Sequence, residues 1–122
     1  MARILISESS PELGQRWRDA LARQGHTVKL ALDGRAAVSA CQQTCYEIVI
    51  TDMSLPDVNG VLLSGQISTI LPNVSIIGLS SELTSEMVAD EFGGDIPFVD
   101  RFFGKPVTPK ALAAAVNELA AA

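Results

Sequence analysis

Short apolar runs rich in β-branched residues alternate with helical patterns along the whole chain, and no other feature constrains the fold as strongly. The runs are Arg3-Ile4-Leu5-Ile6-Ser7, Thr27 to Ala31, Ile48-Val49-Ile50-Thr51 ending at Asp52, Val74 to Leu79, and a fifth within Phe98 to Phe103. Helical spacing fills the gaps. Ser10 reads as an N-cap with Pro11 at the first helical position and Glu12 in the first turn. Leu13, Trp17, Ala20 and Leu21 then share one face, and Gly25 supplies the stop. Arg35 to Thr44 predicts a second helix with Ala37, Val38 and Cys41 inward. Val61 to Leu71 predicts a third, spaced by Leu63, Ile67, Ile70 and Leu71 and broken by Pro72-Asn73. Ser85 to Phe92 is a short fourth, closed by Gly93-Gly94. Thr108 caps the last helix, Pro109 begins it, and Leu112, Ala115, Val116 and Leu119 form its stripe.

Five strand–helix units imply right-handed crossovers and a parallel sheet covered on both faces. The first, third and fourth runs are almost continuously apolar, as central parallel strands are. The predicted fold is α/β: a doubly wound, five-stranded parallel sheet in a flavodoxin-like three-layer sandwich, with 2-1-3-4-5 the common order for five strands. At 122 residues the chain is expected to form one domain, 1–122. A hydrophobic share of 48% excludes disorder through low hydrophobicity. No run approaches the ~18 apolar residues of a membrane span. The residues after Met1 do not read as a secretory leader, so the expected location is cytoplasmic and the two cysteines are expected as reduced thiols. Fourteen acidic against nine basic residues leave a net charge of −5, which argues against a nucleic-acid partner. The imbalance is local: after Arg35 the next basic residue is Arg101, a stretch that could steer a basic partner.

In a sheet of this kind every strand's carboxyl end opens on one edge, and ligands bind where the strand order reverses. The residues just past the strands are Glu8, Asp52, Ser80 and Lys105. With order 2-1-3-4-5, Glu8 and Asp52 are neighbours at the switch point. Two close carboxylates repel unless a cation lies between them or one takes a proton. Lys105 supplies part of that compensation, and Mg²⁺, held by one or two carboxylates with waters and a phosphoryl oxygen, would supply the rest.

Four segments carry a family resemblance: Ile4-Leu5-Ile6-Ser7-Glu8-Ser9-Ser10-Pro11-Glu12-Leu13, Val49 through Asp52-Met53-Ser54-Leu55-Pro56-Asp57-Val58-Asn59-Gly60, Leu79-Ser80-Ser81, and Phe102-Phe103-Gly104-Lys105-Pro106. In order and in spacing they resemble the receiver domains of two-component response regulators, over essentially the whole chain. The resemblance implies that Asp52 accepts a phosphoryl group from a partner's phosphohistidine. It implies that Ser80 and Lys105 bind that group, and that Phe102 is the aromatic switch residue that packs inward when the hydroxyl of Ser80 moves. It further implies a cis peptide between Lys105 and Pro106, and a Mg²⁺ held by Glu8, Asp52 and the backbone carbonyl of Met53. A histidine kinase or histidine phosphotransfer protein would be the donor, and an unnamed protein the downstream target. In this family the lifetime of the phosphoryl group depends on positions such as Ser54 and Glu82. Such a domain is a stoichiometric phosphoacceptor that assists its own phosphotransfer, and not a turnover enzyme.

Two departures stand out. Receivers carry two adjacent acids after the first strand; here the pair is Glu8-Ser9, with Ser9 in the place of the acid that contacts the metal most directly. Weakened or absent Mg²⁺ binding is therefore expected, with Glu8 long enough to compensate in part. The segment from Glu82 to Arg101 carries Gly93-Gly94-Asp95 and Pro97 where receivers continue a longer fourth helix, so a short or displaced helix is expected at the usual output surface. Ser81 is small, as the family requires beside the pocket.

Other residues weigh less. Cys41 and Cys45 at i, i+4 could ligate a metal but have no further ligands nearby, so plain thiols are expected. His26 is expected to cover the end of the first helix, and Trp17 to be core. The leading reading is a stand-alone receiver phosphorylated on Asp52. The alternative favoured by Ser9 is a phosphorylation-independent pseudo-receiver that binds partners through the same fold. A flavodoxin-like electron carrier, with Ser7, Ser9 and Ser10 as a phosphate loop, would leave Asp52 and Lys105 unexplained.

Overall fold

A computed structural model describes residues 1–121. Strand β1 (Arg3–Ser7) leads into α1 (Pro11–Ala22), β2 (Thr27–Ala31), α2 (Gly34–Gln43) and β3 (Ile48–Asp52). Then follow α3 (Gly60–Ile70), β4 (Ser75–Ser80), α4 (Ser85–Phe92), β5 (Arg101–Gly104) and α5 (Pro109–Ala121). The strands are all parallel, in the order β2-β1-β3-β4-β5. The doubly wound fold predicted from periodicity is the one observed, and β1 and β3 are neighbours in register from Ile4↔Ile48 to Ser7↔Thr51.

Side chains alternate between the two faces of each strand, which sorts the core into layers. Ile4, Ile6, Ile48, Ile50, Ile77 and Leu79 pack against Trp17 and Leu21 of α1 and Leu112 and Val116 of α5. On the other face Leu5, Val49 and Ile76 meet Ala37 and Cys41 of α2 and Leu63 and Ile67 of α3. A third, smaller cluster under α4 has Met53, Val88 and Ile96 buried, with Leu83, Phe92, Val99 and Phe102 packed around it. Among the described residues no helix is long and apolar enough to cross a membrane.

Caps set the helix boundaries. Ser10 Oγ accepts from Leu13 N–H, Asp33 Oδ1 from Ala36 N–H, Asn59 Oδ1 from Leu62 N–H, Thr84 Oγ1 from Met87 N–H and Thr108 Oγ1 from Ala111 N–H. The fourth helix is short, as Gly93-Gly94 implied: Gly93 takes φ +65° and Gly94 φ +99°, left-handed values that end it. Thr44 and Cys45 lie beyond α2, so Cys45 is exposed off the helix while Cys41 is buried in the core. Burial raises the Cys41 thiol to about 11. His26 covers the end of α1 as expected, its backbone N–H donating to Leu21 O at 3.4 Å, and it has a second partner. Its Nδ1 accepts from Ala2 N–H at 2.9 Å, so the ring pins the start of the chain, and the end of α1 is closed by backbone bonds.

The fifth strand, expected within Phe98 to Phe103, runs from Arg101 to Gly104. Val99 N–H turns back to Ile96 O, and Asp100 Oδ2 accepts from Ile76 N–H at 2.8 Å while Asp100 N–H donates to Ile76 O. A side chain thus occupies the position where strand pairing would begin. Phe98, before it, sits at φ +68°, a conformation that costs a bulky residue roughly 1–3 kcal/mol.

Candidate functional site

The carboxyl ends of β1 and β3 deliver Glu8 and Asp52 side by side, both buried, at 2% and 6% exposure. The loop after β5 brings Lys105 over them from 97 and 53 residues away in sequence. Lys105 Nζ donates to Glu8 Oε1 at 2.5 Å and to Asp52 Oδ2. Burial pulls the Lys105 pKa down, but the hydrogen bonds and charges of Asp52 and Glu8 outweigh it, and the net shift is upward. The ammonium also lies 5.7 Å from the centroid of the buried Trp17 ring, within cation–π range. The Lys105–Pro106 peptide is cis, as the resemblance implied.

The remaining carboxylate oxygens are held by backbone. Ser10 N–H donates to Glu8 Oε2 at 3.0 Å, and Ser54 N–H to Asp52 Oδ1 at 2.8 Å. Both are contacts between a carboxylate and the amide two residues on, a local habit of Asp and Glu in turns that Glu8-Ser9-Ser10 and Asp52-Met53-Ser54 could have revealed. The third group anticipated at this edge stands apart. Ser80 is buried, and its Oγ accepts from Glu82 N–H at 3.0 Å and Leu83 N–H at 2.9 Å, organising the β4–α4 loop. No hydrogen bond joins its hydroxyl to Asp52 or Lys105 among the described residues. It remains a neighbour through the backbone, since Lys105 N–H donates to Ser80 O at 2.7 Å.

Met53, Ser9 and Phe102 are the other positions singled out from the sequence. Met53 O accepts from Gly60 N–H at 2.9 Å, closing the loop that leads into α3. Close packing there also fixes residue type, because a Cβ on Gly60 would stand 2.5 Å from Met53 Cα. Ser9, exposed beside Glu8, makes no hydrogen bond among the described residues. Phe102 is half-buried against the small cluster beneath α4. The serines after β1 do not form a phosphate loop, since Ser10 is engaged as a cap and through its amide with Glu8.

Asp57 is a contributor whose partners the sequence did not disclose. Its two carboxylate oxygens accept from Gly34 N–H at 2.8 Å and Arg35 N–H at 2.9 Å, so a loop after β3 caps the N-terminus of α2. These two amides, Gly34 first, hold its pKa below the usual carboxylate value. At the mouth of the site Ser54 Oγ reaches Glu82 Oε2 at 3.5 Å, which joins the two positions named for phosphoryl lifetime.

The donor set fits a hard divalent cation in composition, since two carboxylates with waters and a phosphoryl oxygen are a common Mg²⁺ environment. Among the described residues no group of three or more acidic, His or Cys side chains forms a metal cluster. The two carboxylates share Lys105 instead, so a cation between them would compete with an ammonium already in place.

Comparison with known proteins agrees with this geometry. The family model of the response regulator receiver domain matches residues 4–117. The protein PilH of Pseudomonas aeruginosa is 28% identical over 121 residues, covering 99% of both chains. The transcriptional regulatory protein TcrA of Mycobacterium tuberculosis is 40% identical over 58 residues, 48% of this chain and 23% of that protein. The chain spans less than half the length of the transcriptional regulators it matches. A solved CheY-like receiver domain protein from Methanospirillum hungatei superposes with a TM-score of 0.86 at 20% identity, covering 99% of this chain and 95% of that one. A buried aspartate and a bridging lysine at the switch point, on this strand order and under this family match, have one conclusion: the chain belongs to the response regulator receiver domain family of two-component signalling.

Proposed function

We propose that the chain is a receiver that accepts a phosphoryl group on Asp52 from the phosphohistidine of a histidine kinase or phosphotransfer protein, and signals by protein contact. The observation that carries this reading is the single ammonium of Lys105 hydrogen-bonded to the buried carboxylates of Asp52 and Glu8. A carboxylate oxygen of Asp52 forms the new bond to phosphorus as the bond from phosphorus to the histidine nitrogen breaks. The electron pair returns to the imidazole, which takes up a proton. Lys105 is positioned to follow the charge onto the phosphoryl oxygens, where stabilisation of spread charge is most of the catalysis. Ser54 N–H keeps the attacking carboxylate oriented. Glu8 and Asp52 would hold Mg²⁺, which when bound neutralises phosphoryl charge. The domain is consumed once per transfer, as a stoichiometric acceptor. Signalling in the cytoplasm belongs to the same proposal.

A second reading, a pseudo-receiver that works without phosphorylation, is favoured by Ser9 and by the satisfaction of all four oxygens of Glu8 and Asp52. One experiment separates the two. The protein and Asp52→Asn are incubated with acetyl phosphate or beryllofluoride over a Mg²⁺ series, and intact mass and Trp17 emission are followed. The phosphoacceptor reading expects the mass of one phosphoryl group to be gained, with a Mg²⁺-dependent emission change, both absent in Asp52→Asn. Unchanged mass and emission, together with no labelling by phosphorylated kinases, establish the pseudo-receiver.

A further inference from the structure

A groove of about 540 Å³ separates α3 from α4. Met53 and Gly60 lie at its base, Val61 and Leu62 form the α3 wall, and Leu83 and Phe92 form the opposite one. Leu62 is 56% exposed. The apolar surface continues along α3: one turn beyond Leu62, Gly65 supports the ring of Phe98, which is 58% exposed and held outward by a left-handed backbone. A Cβ on Gly65 would approach that ring to 3.2 Å. Helix α3 carries no charged residue, whereas Glu91 lines the opposite wall and Glu82, Glu86, Asp90 and Asp95 are exposed in and around α4, none of the five in an ion pair among the described residues. No Lys, Arg or His lies anywhere between Arg35 and Arg101.

We propose that this groove docks a basic amphipathic helix of a partner protein. The apolar face of such a helix would cover Leu62 and Phe92 in the helix-in-groove manner, and its Lys and Arg residues would meet the acidic rim of α4. A symmetric pair of copies is disfavoured because it would set the same acids against each other. An anionic lipid surface is disfavoured by the same charge. The groove does not depend on Asp52 being phosphorylated, so it stands independently of the proposal above.

The test uses the full chain and a fluorescent helical peptide of about 18 residues, long enough to be partly helical alone, with Leu on one face and Lys elsewhere. A matching Leu/Glu peptide is the control. Anisotropy should show binding of the Leu/Lys peptide only. Amide NMR shifts should cluster at Val61, Leu62, Leu83 and Phe92. Leu62→Asp and Glu91→Lys should each weaken binding about tenfold or more, with the thermal melt unchanged. The proposal is overturned by no binding, by equal binding of both peptides, by shifts on a different acidic surface, or by full affinity in both variants. Self-association in sedimentation that Leu62→Asp abolishes would assign the groove to a second copy and overturn it equally.

Discussion

Asp52 stands between two unequally packed regions. Toward α1 and α5 the sheet is sealed by large side chains that are essentially inaccessible, among them Ile4, Ile6, Trp17, Ile50, Leu79 and Leu112. Toward α4 only Met53, Val88 and Ile96 are buried, and Phe92 and Phe102 are half-covered. Among the described side chains of α4, Val88 is the only one fully buried, with Phe92 half-covered beside it. Buried apolar contact sets the free energy of local opening, so α4 and its loops should open well below the global limit. The two regions meet at the site. Lys105, Glu8 and Trp17 belong to the rigid side, and Ser80, through Glu82 N–H and Leu83 N–H, holds the loop that begins the soft one. Ser80 thus ties the start of the soft region to the strand next to Asp52.

The contrast can be broken by substitution on either side. Ile50→Ala, in the sealed layer, should cost about 2–5 kcal/mol and remain one cooperative transition, with far-UV CD and Trp17 emission lost together in urea. Separate transitions would show that the layer is not a unit.

Thiol titration sharpens the same contrast through Cys41, on the sealed α2–α3 face. Its folded pKa is raised from 9.0 to about 11, so the unfolded chain loses this proton first as pH rises. Stability from this group is complete below pH 9 and declines up to about 11, by roughly 2–3 kcal/mol. Cys41→Ala should flatten that part of the urea-stability profile. In the unmodified protein the exposed Cys45 should react with a thiol reagent at once and Cys41 only on global unfolding. Equal reactivity would contradict the packing difference.

The smallest effect belongs to the soft side. Val88→Ala should cost about 1–2 kcal/mol. Its signature should be faster hydrogen exchange confined to α4 and the segment through Ile96, with exchange in β1 and β3 near that of the parent. Faster exchange throughout the sheet would mean that α4 is part of the cooperative core.

Much of this was legible before any coordinates. Hydrophobic periodicity is local information, and the backbone must satisfy it locally, so the five strands, the caps at Ser10 and Thr108 and the stop at Gly93-Gly94 follow from neighbouring residues alone. The edge location of Glu8, Asp52, Ser80 and Lys105 follows too, because parallel strands must all end on one side. Pairings between distant residues were not legible, since they depend on which loop end faces which. Lys105 was expected to compensate Glu8 and Asp52, but tertiary structure alone decided that its ammonium bonds both directly, that Asp57 caps a helix more than twenty residues before it, and that Ser80 turns to its own loop. It also decided that Asp100 takes the amide of Ile76 and delays β5, and that His26 ties down Ala2. The physical reason is common to all five. A polar group that is buried, at a strand edge or at a helix end gains by finding a partner, and the chain's pattern states the need without naming which distant atom will meet it.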